Sequence, residues 1–174
     1  MTQDTHLLYK LIILYMLDRV EFPLTNSQIV EYVIERGYTN YFTLQTAINE
    51  LLDAEMISVE NIRNSSLYHI RASGREAIDM FEDRISPAIK EDILAYFEEN
   101  RYQLRNEVEI TAEYFPGKKD EYYVHGVIKE KGNILMDLTL NVGSKEEAIV
   151  ICDHWKEDSS EVYGALVEKL ILRI

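Results

Sequence analysis

Residues 39–60 read TNYFTLQTAINELLDAEMISVE, and the period of their apolar side chains changes partway along. Leu44, Ala47, Ile48, Leu51 and Leu52 recur at the i, i+3, i+4, i+7 spacing of one helix face. Thr39 or Asn40 is placed to cap that helix, because a short side-chain oxygen accepts from the open N–H groups of a first turn. The spacing predicts a helix over about residues 40–54. After Met56 the period falls to two. Ile57 to Glu60 and Ser66 to Ile70 read as strands, with Asn61-Ile62-Arg63-Asn64-Ser65 as the hairpin turn between them.

Upstream, Leu7, Leu8, Leu11, Ile12, Leu14 and Tyr15 fall at helical spacing. Glu21-Phe22-Pro23 ends that helix, since proline restricts the residue before it and has no N–H to donate. Thr25 or Asn26 caps a second helix through Ile29, Tyr32, Val33 and Ile34, and Gly37 stops it. Downstream, Ser73 caps a helix through Ala77, Ile78 and Phe81. Pro87 suits a first helical position and opens a helix from Ser86 to about Asn100. The break at Ile85-Ser86-Pro87 divides the chain into domains at 1–84 and 85–174. Strands are expected from Asn106 to Tyr114, Glu121 to Lys129 and Ile134 to Val142, separated by turns at Pro116 to Asp120 and at Gly132-Asn133. Ser144 caps a helix through Ala148, Ile149, Ile151, Cys152 and Trp155. A last helix is expected from about Ser159 to Leu170.

Three short helices followed by a two-stranded hairpin is the order of a winged helix-turn-helix domain. The expected class is therefore α+β. A winged helix over 1–84 precedes a small α/β domain with a three-stranded antiparallel sheet and two helices. The opening stretch resembles a recognition helix running into the first wing strand of winged-helix repressors, including the PadR-like and GntR-like regulators. Ala47, Ile48, Leu51, Glu55, Met56 and Ile57 carry that likeness. Tyr68-His69-Ile70-Arg71-Ala72-Ser73-Gly74 likewise resembles their Y-x-hydrophobic-T-x-x-G exit from the wing, with Arg71 where Thr is usual. This match covers about half the chain. The strings YKLIILYMLDRVEFPLTNSQI (9–29) and GYTNYFTLQTAINEL (37–51) extend it. Through them the whole chain resembles an uncharacterised bacterial family of similar length, in which a winged helix precedes a small α/β domain. The resemblance implies a DNA-binding transcription regulator with double-stranded DNA as its partner.

On that reading Asn40, Tyr41, Thr43, Gln45, Thr46 and Asn49 face base edges, and Arg63 and Asn64 at the wing tip touch the backbone. Asn and Gln suit adenine, and arginine suits phosphate. The bland alternative is a solvated helix face and a polar turn. The charge runs against the usual pattern. No charged residue lies between Gly37 and Asn49, and residues 1–84 hold 7 Lys+Arg against 13 Asp+Glu, residues 85–174 holding 11 against 18. Neither half carries the basic footprint typical of DNA binders. This favours a second reading, a winged helix that serves as a protein-interaction module without DNA.

Other chemistry finds little footing. Hydrophobic residues make up 47% of the 174, enough for packed cores, and the net charge of -13 opposes non-specific binding to nucleic acid or anionic lipid. The lone Cys152 has no disulfide partner within the chain, and its apolar flank Val150-Ile151 marks a small buried hydrophobe rather than a nucleophile. MTQDTH lacks the basic start of a secretion signal, and the apolar run Leu11 to Leu17 is too short to span a bilayer. The expectation is a cytoplasmic protein without a membrane segment. His6, His69, His125 and His154 show no metal-ligand spacing, and no phosphate-loop, dinucleotide or nucleophile-elbow motif occurs. Neither an enzyme nor a cofactor nor a metal is expected, and no effector is identified. Tyr114, Phe115, Tyr122, Tyr123 and Trp155 either line an apolar pocket or pack a sheet against helices. Val162, Leu166, Val167, Leu170, Ile171 and Leu172 either form a homodimer interface or close the second domain's own core. A homodimer is expected, since regulators of this kind read paired half-sites.

Overall fold

A computed structural model describes residues 2–172. The described residues form a mixed α+β structure with six α-helices and two three-stranded antiparallel sheets. Contacts divide the chain into two compact units, Met1–Val108 and Glu109–Ile174.

In the first unit, α1 (Gln3–Arg19) is the central element. Leu11 through Leu17 are all buried, so the middle of this helix is enclosed on every side. The strand β1 (Leu24–Thr25) follows, then α2 (Asn26–Glu35) and α3 (Tyr41–Asp53). The start of α2 is a capping box: Thr25 accepts from the Gln28 N–H, and the Gln28 side chain accepts from the Thr25 N–H. The hairpin β2 (Ile57–Ile62) and β3 (Ser65–Ile70) turns through Arg63 and Asn64, with Arg63 in the left-handed region at φ 53°. Leu24 and Thr25 pair with Tyr68 and Leu67, which adds β1 to the hairpin as a third strand. Two residues are too short a run for periodicity to register.

The helix α4 (Ala72–Phe81) has Arg71 at its N-cap position, with no side-chain capping bond, and Ser73, expected as the cap, lies inside its first turn. The Ser73 hydroxyl donates instead to the Glu55 carbonyl at 2.8 Å. A short 3-10 turn (Glu82–Arg84) leads to α5 (Pro87–Glu109), which opens at Pro87 as its fixed φ favours. This helix runs well past Asn100. Ile93, Phe97, Leu104 and Val108 join the core built on α1, at spacings of whole helical turns. The Gln28 amide donates to the Leu104 carbonyl and to Glu107 at 3.2 and 2.7 Å, satisfying a buried polar group. The units therefore part after Val108, downstream of the break expected at Ile85-Ser86-Pro87. Val108 belongs to a helix, although it continues the alternation of the strand that follows.

The second unit holds β4 (Ile110–Pro116), β5 (Tyr122–Glu130) and β6 (Asn133–Val142), in that order across the sheet. One helix, α6 (Lys145–Leu170), stands where two were expected, capped by Ser144. Glu157-Asp158-Ser159-Ser160 reads as a break between helices, yet Ser159 is fully buried inside the continuous one. Trp155 lies on Gly126, where an added Cβ would sit 2.7 Å from the indole ring. Tyr114 and Tyr122 pack edge to face beside Val124, Ala148 and Cys152. Buried Trp155 and half-buried Tyr114 and Tyr122 thus pack the sheet against its helix, while Phe115 and Tyr123 are exposed. Val162, Leu166 and Leu170 continue the apolar stripe of Ala148, Cys152 and Trp155, but stand 37%, 40% and 72% exposed. They do not close this unit's core. Among the described residues, no helix is long and apolar enough to cross a membrane.

Candidate nucleic-acid interface

The start of α3 is set by Asn40, whose side-chain oxygen accepts from the Thr43 N–H at 3.0 Å. Leu44, Ala47, Ile48 and Leu51 are buried on one side of the helix. Phe42, Thr46, Asn49 and Asp53 fall on the opposite side and are exposed.

Both flanks between these sides are tied down. On one, Gln45 Nε2 donates to Asn26 Oδ1 of α2 at 2.9 Å, and the Tyr68 hydroxyl donates to the same oxygen at 3.3 Å. On the other, Glu50 receives Lys10 Nζ at 2.9 Å and pairs with His6 Nε2 at 3.0 Å, both from α1. Lys10 first and His6 second hold the Glu50 carboxyl below the usual carboxylate range. The helix is fixed in rotation about its axis, so its exposed face is determined.

The residues singled out from the sequence separate into groups. Asn40 caps, Gln45 bridges to α2, and Thr43 is half-buried. The Thr46 hydroxyl donates to the Phe42 carbonyl at 2.9 Å. Tyr41 and Asn49 are exposed, as are Arg63 and Asn64 at the hairpin tip. Phe42 is missing from that set, yet at 81% exposure it is far more open than Tyr41 at 48%. The two rings meet edge to face at 5.8 Å. The signal was available: Phe42, Thr46 and Asn49 follow the i, i+4, i+7 spacing, out of phase with the buried set.

Basic side chains around this surface are engaged. Arg71 lies 3.7 Å from Glu55, Arg75 lies 3.9 Å from Asp18, and His69 pairs with Glu60 at 3.3 Å. There is no Lys or Arg on α3. Among the described residues, no group of three or more His, Cys, Asp or Glu is placed to hold a metal ion.

Behind α3, α2 is fastened to α5 by Asp92. Its Oδ2 accepts from the Tyr32 hydroxyl at 2.6 Å, Arg36 Nε at 2.8 Å and the Tyr38 hydroxyl at 3.4 Å. The Tyr32 bond foremost, then Arg36, holds the Asp92 carboxyl below its ordinary value against the opposing effect of burial. Burial and the Asp92 bond push Tyr32 up.

Residues 9–170 match a family model described as Domain of unknown function (DUF4364), and the chain belongs to that family. No curated protein and no solved structure matches it.

Proposed function

We propose that this DUF4364 chain is a DNA-binding transcription regulator whose first 84 or so residues act as a winged helix. On this reading α3 enters the major groove, which is about 12 Å wide and admits a helix. The β2–β3 hairpin is the wing, with Arg63 and Asn64 at its tip on the DNA backbone. One observation carries the reading. A helix pinned on both flanks offers a single open face, in a unit whose element order is three helices and then a hairpin. The regulator works as a homodimer, supported by the exposed stripe Val162, Leu166 and Leu170.

The test is genomic pull-down of DNA with the purified full chain, followed by sequencing. Enrichment of a shared motif is expected, with Asn49→Ala reducing it. A second reading, a protein-interaction module, is favoured by the lack of Lys or Arg on α3 and by the open Phe42 ring. No binding above random DNA at low salt would put that reading first.

A further inference from the structure

The open face of α3 has a narrow chemical vocabulary. Guanine is read by two hydrogen bonds to O6 and N7, normally from Arg or Lys. The helix has neither. Adenine is read by an amide that accepts from N6 and donates to N7, and thymine by an apolar contact with its 5-methyl group. Both kinds of group stand on the open face of α3. Asn49 is exposed and supplies an amide. Phe42 supplies an open ring. Thr46 spends its hydroxyl hydrogen on the Phe42 carbonyl, so it has no donor for guanine O6 or N7 and offers an acceptor oxygen and an apolar methyl. Gln45 is held by Asn26, and Glu50 by Lys10 and His6, so neither is available to read a base. Asp53 has the acceptor that would suit cytosine, but it stands in the last turn of α3, about 16 Å along the axis from Phe42. Recognition helices reach base edges with their N-terminal residues. From Phe42 to Asn49 the helix rises about 10 Å, the height of about three stacked base pairs.

We propose that α3 reads A·T-rich major groove, with Phe42 packed on thymine methyl groups and Asn49 paired with adenine. The inference rests on the DNA reading of α3 and adds to it the class of sequence recognised.

The test selects sites from a random duplex library with the full chain. Wild type, Phe42→Ala and Asn49→Ala are then titrated on the selected duplex and on the same duplex with deoxyuridine for thymidine. Deoxyuridine keeps the base pairing and removes only the methyl group. A core of about three A·T pairs is expected in each half-site. Deoxyuridine should weaken wild-type binding about fourfold for each methyl group buried, and the loss should be clearly smaller in Phe42→Ala. Asn49→Ala should lose about tenfold of its preference for adenine at one position. Phe42 is exposed, so its truncation leaves the fold intact, which circular dichroism checks. A selected core of G·C pairs, or a deoxyuridine effect undiminished in Phe42→Ala, would overturn this inference alone. Failure to bind any duplex at low salt would overturn the DNA reading and this inference with it.

Discussion

Gln45 Nε2 donates to Asn26 Oδ1 at 2.9 Å, joining the first turn of α2 to the second turn of α3. The bond removes from the exposed face the longest amide on the helix. Gln45→Ala should therefore act on stability and little on base preference. Loss of one partly buried hydrogen bond costs about 0.5–1.5 kcal/mol. Urea unfolding measures the cost. A variant of unchanged stability that instead accepts new bases at one site position would show that Gln45 reads DNA.

Arg63 stands at the turn of the hairpin. If it touches phosphate, Arg63→Ala should weaken binding to all duplexes about equally and lower the salt slope by about one. The wild-type slope should itself be shallow, because α3 brings no cation to the DNA. Titrations at several salt concentrations decide both points. A steep wild-type slope would place the phosphate contacts elsewhere.

Gly74 approaches the α3–β2 junction so closely that an added Cβ would lie 2.3 Å from the Met56 carbonyl oxygen. Alanine normally gains about 1 kcal/mol over glycine inside a helix. Here the obstacle is backbone that also accepts from the Arg71 N–H, so it cannot swing aside. The steric cost of about 1–3 kcal/mol should dominate. Gly74→Ala is expected to lower the thermal midpoint, and an equal or higher midpoint would refute the close approach.

Asp92, with its depressed carboxyl, links stability to pH. A lowered folded-state value contributes stability that is present above the unfolded value, about 3.9, and is lost as pH falls through the folded one. Urea midpoints should hold from neutral pH down to about 4–5 and decline below that. Asp92→Asn should lower the neutral-pH midpoint and flatten the acid decline. Parallel curves for the two proteins would mean that other carboxylates carry the linkage.

Leu166 sits in the exposed stripe of α6. Light scattering of the wild type at micromolar concentration should return twice the 20.4 kDa chain mass. Leu166→Glu would bury a charge at the proposed interface and should return the single mass. A wild-type chain that scatters as a monomer would remove the homodimer from the proposal.

Periodicity is a local property, so most elements were legible from side-chain spacing alone. The buried faces of α2 and α3, the hairpin after Met56 and the start of α5 at Pro87 all follow from residues within one or two turns of each other. The absence of cations on α3 is likewise plain in the sequence, because composition needs no coordinates. What each polar residue of α3 does was decided only by tertiary structure. Gln45 finds its partner 19 residues away, and Glu50 finds Lys10 40 residues away. No spacing rule reaches that far. The same holds for α5, whose Val108 continues the alternation of β4 and yet is buried with the helices of the first unit. It holds for Gly74 too: the string Tyr68 to Gly74 ends on this glycine, but its reason is a carbonyl oxygen contributed by Met56, which arrives there only when the chain has folded.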